Sequence, residues 1–233
     1  MKHNELEKHY VIASNKPWGP DGIELLKNKG ESWTFVNAES KLNEIDLNTV
    51  DSIFFVHWSY KVPSVIYGRV KCIAFHMTDL PFGRGGSPLQ NLIERGFTQT
   101  KLCAFKMVEE MDSGPIYLKN ELELYGSAEE IYYRSSKLIY SMIREIIDNN
   151  IMPVEQRGRE VKFTRRTAEM SEITPKIQDV DKLYDVIRML DAPGYPKAFV
   201  NIGNFNVEFS KACLAKDSSA LTVQANIRLI KNE

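Results

Sequence analysis

Two apolar runs, Ser52-Ile-Phe-Phe-Val-His57 and Val70-Lys-Cys-Ile-Ala-Phe75, are rich in β-branched and aromatic residues and lack a regular polar alternation. A strand with one wet face alternates polar and apolar side chains, whereas a strand covered on both faces reads as a continuous apolar run. Both segments therefore predict central strands of a sheet buried on both sides. Strands joined by helical or crossover segments imply a mostly parallel α/β sheet flanked by helices.

Working outward toward the N-terminus, Tyr10 to Ala13 is a further strand. It runs into Ser14-Asn-Lys-Pro-Trp-Gly-Pro20, where two prolines and a glycine make a loop. Asp21 to Lys29 suits a short helix with Ile23, Leu25 and Leu26 inward and Gly30 at its end. Trp33 to Val36 resumes a strand.

Downstream, His76 to Gly86 is a glycine-rich loop, and Ser87-Pro88 fits an N-cap followed by proline at the first helical position. That helix should run through Leu89, Leu92 and Ile93 and stop near Gly96. Thr100 to Met107 and Ile116 to Leu124 read as strands bridged by the loop Val108 to Gly114. Ser127-Ala-Glu-Glu130 is a capping box, and Ile131, Leu138, Ile139, Met142, Ile143, Ile146 and Ile147 recur at helical spacing as far as about Asn149. Pro153 to Glu172 is polar and irregular, with a basic pair at Arg165-Arg166. Val180 to Leu190 is helical, and Lys197 to Ile230 contains a hairpin turning at Gly203-Asn204. Residues 1–175 are expected to form the main domain and residues 176–233 a small α+β appendage.

With 233 residues, 43% of them hydrophobic, the chain can bury a full core. A formal net charge of -1 provides no long-range field to concentrate a polyanion, so bulk nucleic-acid binding is not expected. Cys72, Cys103 and Cys213 are odd in number and set in apolar stretches, which suits buried thiols rather than a disulfide framework. No apolar run approaches the roughly 20 residues of a membrane span, and the N-terminus turns polar too early for a signal peptide. A cytoplasmic protein without membrane contact is expected.

Candidate chemistry gathers at two loops. His76 follows a buried strand, and open α/β sheets place ligands at the carboxyl ends of their strands. An imidazole changes charge near pH 6.5, so it can give or take a proton around neutrality. Asp112 lies in Asp-Ser-Gly114, which alone would be ordinary turn composition. His57 ends another strand and reads as a hydrogen-bonded core residue. On the first loop, Lys16 could meet a phosphate and Trp18 could stack on a base or sugar, with Asn15 beside them. Trp58 and Lys61, after the third strand, are similar candidates.

The string FHMTDLPFGRGGSPLQNLI from Phe75 to Ile93, followed by MVEEMDSGPIY from Met107 to Tyr117, resembles the folate-dependent formyltransferases. That superfamily includes methionyl-tRNA formyltransferase, glycinamide ribonucleotide formyltransferase and the sugar N-formyltransferases. His76, Leu80-Pro81, Arg84-Gly85 and Asp112-Ser113-Gly114 match its motif in order and spacing. Together with SAEEIYYR and APGYPKAF, the wording looks like nucleotide-sugar formyltransferases of pseudaminic-acid-type pathways, which serve surface polysaccharide biosynthesis, and like formylation domains of peptide synthetases.

The resemblance implies a Rossmann-like formyltransferase fold and 10-formyltetrahydrofolate as co-substrate, with no metal. It implies His76 and Asp112 as the catalytic pair. The pterin would lie against Leu80, Phe82 and the backbone of Val108 to Met111, including Glu110, with Arg84 and Gly85 beside it. The expected acceptor is the primary amine of a nucleotide-linked amino sugar of the UDP-linked 4-amino-4,6-dideoxyhexose type. A homodimer is left open. Alternatives are an aminoacyl carrier or transfer RNA as acceptor, a formyltetrahydrofolate hydrolase, and a non-catalytic binding module.

Between Lys176 and Glu233 there are eight basic and seven acidic residues, which does not give the positive face that tRNA recognition calls for. One departure from the family is Ala74, which stands where the motif has asparagine, two residues before the histidine. That asparagine normally donates to the formyl oxygen. Gln90, Asn91 or a backbone amide of Gly83 to Gly86 are the candidate replacements.

Overall fold

A computed structural model describes residues 7–26, 28 and 30–229. The chain divides into two compact units. One comprises the residues up to Arg84, Thr100–Leu122 and Tyr133–Lys162; the other comprises Gly85–Gln99, Glu123–Tyr132 and the residues from Phe163 onward.

The first unit is built on a six-stranded sheet. In chain order the elements from its start are β1 (Lys8–Ala13), β2 (Glu31–Val36), α1 (Glu39–Asn43), β3 (Ser52–Phe55), α2 (Ser64–Tyr67) and β4 (Lys71–His76). There follow β5 (Phe82–Gly85), α3 (Pro88–Glu94, which belongs to the second unit), β6 (Gln99–Lys106), β7 (Ile116–Glu123) and α4 (Ala128–Asp148). The sheet order is β2-β1-β3-β4-β6-β7. The pairs β1–β2, β1–β3 and β3–β4 are parallel, and β4–β6 is antiparallel.

Register explains why the decisive runs are apolar throughout. Val11, Ile53 and Cys72 form one cross-strand row, and Ile12, Phe54 and Ile73 form the next. Successive residues of a strand point to opposite faces. All six are at most 1% exposed, so both faces are covered. Full burial of each such side chain contributes about 1.5–3 kcal/mol, an upper figure for a real unfolded chain.

The helical stripe Ile139, Met142, Ile143 and Ile146 of α4 is buried as its spacing predicts. Tyr140 donates its hydroxyl to Gly19 O at 2.6 Å, and Arg144 pairs with Glu31 of β2 at 2.6 Å. The capping box forms: Ser127 N donates to Glu130 Oε2 at 2.7 Å and Glu130 N donates to Ser127 Oγ at 3.3 Å.

Several expectations need correction. Between Asp21 and Lys29 the described helix is a 3-10 turn, Ile23–Leu26; Lys27 and Lys29 lie outside the described residues. Ser87 does not cap α3 through its side chain. It has a left-handed backbone with φ 51°, and its hydroxyl accepts from Arg166 N at 3.0 Å. The glycine-rich loop contains the strand β5, and the irregular segment after α4 contains β8 (Val161–Phe163), which pairs with it.

In the second unit, α5 (Val180–Arg188) is capped by Asp179, whose carboxylate accepts from Lys182 N at 2.6 Å. The hairpin at Gly203-Asn204 joins β9 (Ala198–Ile202) to β10 (Phe205–Leu214), and β11 (Leu221–Leu229) makes it a three-stranded antiparallel sheet. No helix among the described residues is long and apolar enough to cross a membrane.

Candidate active site

Because β1, β3 and β4 run parallel, the loops leaving their carboxyl ends emerge at one edge of the sheet. His76 is the last residue of β4 and is 8% exposed. Its Nε2 lies 2.8 Å from the carbonyl oxygen of Gly83. A carbonyl only accepts, so Nε2 carries a proton and donates. The other nitrogen, Nδ1, faces Asp112 Oδ2 at 3.7 Å. A second proton on Nδ1 turns that approach into an ion pair. The imidazole is thus tied at one nitrogen and able to exchange a proton at the other, beside a carboxylate.

The loop that carries Asp112 is shaped by its own residues. Asp112 has φ 55°, in the left-handed region that Asp tolerates better than most side chains. At Gly114 a Cβ would lie 1.8 Å from Lys106 O, so only glycine fits where the loop closes on β6. Ser113 N and Oγ both donate to Glu110 O, at 3.3 and 2.9 Å.

Thr78 was not among the expected site residues. It is fully buried, and its hydroxyl donates to the same Gly83 carbonyl at 3.4 Å. Cys103 donates its thiol to Thr78 O at 3.0 Å, and burial pushes that thiol up to about 11. It is therefore a packed donor rather than a thiolate. Gln156 was also missed, although its amide reaches the backbone of Asp112 and Gly114. A lone glutamine in a polar stretch gives no sequence signal for such a role.

The residues expected around a pterin divide. Phe82 and Val108 are half-buried, while Glu110 and Met111 are exposed, Met111 at 70%. Phe82 flanks Gly83 and Met111 flanks Asp112, so one imidazole touches both of their loops. Glu110 also lies 3.8 Å from Lys162.

Leu80 is corrected: it is 0% exposed and packs with Cys103, Phe105 and Ile116, leaving its side chain no surface for a ligand. Arg84 directs its guanidinium to Gln156 and Glu160. Gly85, with φ 108°, makes its close approach to protein: a Cβ there would meet Phe163 O at 2.4 Å.

On the other loops, Asn15 Oδ1 accepts from Ser59 N at 3.1 Å, which joins the loop after β1 to the loop after β3. Lys16 is half-buried and Lys61 exposed. Trp58 is half-buried against Phe55 and Tyr60, with its indole nitrogen buried and without a hydrogen-bond partner. Trp18 is corrected: at 1% exposure its ring packs edge-on against His57, 6.1 Å between centroids, and has no open face on which to stack a base or sugar.

Ala74 lies on the same face of β4 as His76, one step back, where it packs against apolar neighbours and offers no polar atom. The expected side-chain replacements are engaged elsewhere. Asn91 Nδ2 faces the carbonyls of Gly86, Ser87 and Thr164, and Gln90 Nε2 faces Tyr132 Oη and Met189 O. Gly86 N is used on Phe163 O. Among the described residues no three His, Cys, Asp or Glu side chains are placed to hold a metal.

Residues 168–230 match the family model described as methionyl-tRNA formyltransferase, C-terminal domain. The solved structure of a methionyl-tRNA formyltransferase from Clostridium thermocellum is 40% identical, with TM-score 0.90, over 95% of this chain and 99% of that one. A 4-N formyltransferase from Francisella tularensis shares the fold at 18% identity and TM-score 0.68, over 85% of this chain and 94% of its own. HypX from Aquifex aeolicus, solved with tetrahydrofolic acid, shares it at 14% identity and TM-score 0.72, over 88% of this chain and 38% of that one. The chain spans about half the length of the curated relatives it matches, 43–46% for several of them.

Proposed function

Since the chain belongs to the formyltransferase superfamily typified by methionyl-tRNA formyltransferase, we propose that it transfers a formyl group from 10-formyltetrahydrofolate to the primary amine of a nucleotide-linked amino sugar. The observation that carries this reading is the meeting of His76 and Asp112 at 3.7 Å on the carboxyl edge of the sheet. In the same reading, residues 1–175 carry the chemistry and residues 176–233 form the appendage.

Formyl transfer demands proton movement. The amine forms a carbon–nitrogen bond and must lose a proton, and the folate nitrogen takes one up as its bond to the formyl carbon breaks. His76 can hold or pass that proton at Nδ1 while Gly83 fixes its ring, and Asp112 stabilises the imidazolium that results. In this reading Phe82 and Met111 give apolar contact to the pterin, and the loop backbone from Val108 to Met111 meets its polar edge. The folate supplies the activated formyl group; the chain supplies orientation and the proton path.

On the acceptor side, Asn15, Lys16, Trp58 and Lys61 leave the same sheet edge as His76, with Lys61 exposed to meet a phosphate. A small acceptor is favoured over transfer RNA by charge. In the second unit Lys197 is paired with Asp191, Arg188 with Asp185 and Arg228 with Glu208, which leaves little net positive field. The methionyl-tRNA reading has its own support in the likeness to the Clostridium thermocellum methionyl-tRNA formyltransferase.

Incubation with 10-formyltetrahydrofolate and either a panel of nucleotide-linked amino sugars or methionyl-tRNA, with products weighed for a formyl increment, tests this. Formylated sugar nucleotide is the expected product. Formylation of methionyl-tRNA alone would replace the acceptor, and formate release without any amine product would indicate a hydrolase.

A further inference from the structure

Gln156 ties together the two loops that hold the imidazole. Its Nε2 donates to the carbonyl oxygens of Asp112 at 2.7 Å and Gly114 at 2.8 Å. Its Oε1 accepts from Arg84 Nε at 3.2 Å and Nη2 at 2.8 Å. Arg84 Nη1 continues to Glu160 Oε2 at 2.8 Å. Both amide protons and both acceptor positions of Gln156 are therefore used. Arg84 directly follows Gly83, whose carbonyl holds Nε2 of His76, while Asp112 faces Nδ1. The glutamine thus spans from one wall of the imidazole's seat to the other.

The loop needs such a tie. The backbone at Asp112 is left-handed, with φ 55°, and side chains at 111 and 110 are exposed and contribute little packing. Carbonyls at 112 and 114 are held by a single side chain that comes from more than forty residues downstream.

We propose that Gln156, braced by Arg84, is a positioning residue that fixes the carboxylate of Asp112 opposite Nδ1 of His76. The proposal deepens the formyl-transfer reading and rests on it for its kinetic consequence. Gln156 touches neither reacting group; it acts through the loop.

Two variants separate donation to the loop from mere anchoring of Arg84. Gln156→Ala removes both halves of the bridge. Gln156→Glu keeps an acceptor for Arg84, with added charge, but cannot donate to the carbonyls when ionised. Misplacement of a catalytic group by about 1 Å can cost on the order of a hundredfold, so both variants should lower kcat about ten- to a hundredfold and change the shape of its pH profile. Their thermal unfolding should stay close to that of the parent. The side-chain ¹⁵N resonances of His76, recorded at fixed pH in the full chain without folate, should move in both variants. Adding Arg84→Ala to Gln156→Ala should bring little further loss.

Full activity in the Glu variant would overturn the proposal, because anchoring Arg84 would then suffice. So would unmoved His76 resonances with parental kcat in either variant. If the Ala variant does not fold, the Glu variant carries the test. A parent that transfers no formyl group while the His76 resonances still move would refute the enzyme reading and leave the positioning intact. An active parent with unaffected variants would refute the positioning alone.

Discussion

Two histidines follow parallel strands of one sheet, and their surroundings give them opposite chemistry. His57, just beyond β3, has φ 51° and places Nε2 3.0 Å from Ser136 Oγ and 3.4 Å from Ser135 Oγ, with Trp18 packed edge-on against its ring. Burial, with a smaller contribution from Lys16, pushes its imidazole down to about 3. His76, at the end of β4, meets a carbonyl on one side and a carboxylate on the other. Topology alone makes both candidates for catalysis. The surroundings separate them: desolvation holds the His57 ring neutral, while His76 has a carboxylate facing Nδ1.

The comparison breaks most decisively at His76 and Asp112. Alanine at either position should lower turnover about 10²- to 10⁴-fold, the usual range for a lost general acid or base, with unfolding temperature little changed. Steady-state rates with the accepted amine check this, and wild-type turnover from either variant would remove that residue from the mechanism.

Trp18→Ala tests the other seat. A buried aromatic truncated to alanine costs about 3–5 kcal/mol, so denaturant unfolding should show a large loss of stability. Should the variant instead keep its stability and lose only affinity for the sugar nucleotide, Trp18 would belong to the ligand surface after all.

His57 also predicts a pH dependence of stability. Its folded value lies below the ordinary 6.5, so between about 3 and 6.5 the unfolded chain binds more protons than the folded one. The stability contributed by the neutral, half-buried ring is present above pH 6.5 and is lost as pH falls toward 3. At about 1.4 kcal/mol per pH unit, the window is worth a few kcal/mol at most, because the half-buried ring keeps part of its surface in solvent. Denaturant midpoints measured from pH 7 to pH 4 should decline, and His57→Gln should flatten that decline; equal slopes in the two proteins would contradict the assignment.

The smallest effect is expected at Lys61. It is exposed, so Lys61→Ala should leave stability unchanged and weaken sugar-nucleotide binding by a few-fold, consistent with about 1 kcal/mol for an exposed charge contact. Calorimetric titration reads it, and unchanged affinity would move the phosphate elsewhere on the sheet edge.

Much of this molecule was legible in its residues. Continuous apolar runs located β1, β3 and β4 because both faces of the sheet are covered, and helical spacing located α4. The capping box at Ser127 and Glu130 formed as read, since its geometry is set within four residues. The order of His76, Leu80-Pro81, Arg84-Gly85 and Asp112 also identified the family, because a motif is a one-dimensional record of a shared fold.

Only the tertiary structure decided which of these residues face a ligand and which face protein. Leu80 and Trp18 are buried, Gly85 is shaped by Phe163, and Arg84 is spent on Gln156 and Glu160. Short strands such as β5 and β8 exist through pairing with each other, which no local propensity records. The sequence specifies side-chain chemistry and local periodicity; partners distant along the chain become neighbours only when the backbone folds, and they decide which imidazole packs against an indole and which faces a carboxylate.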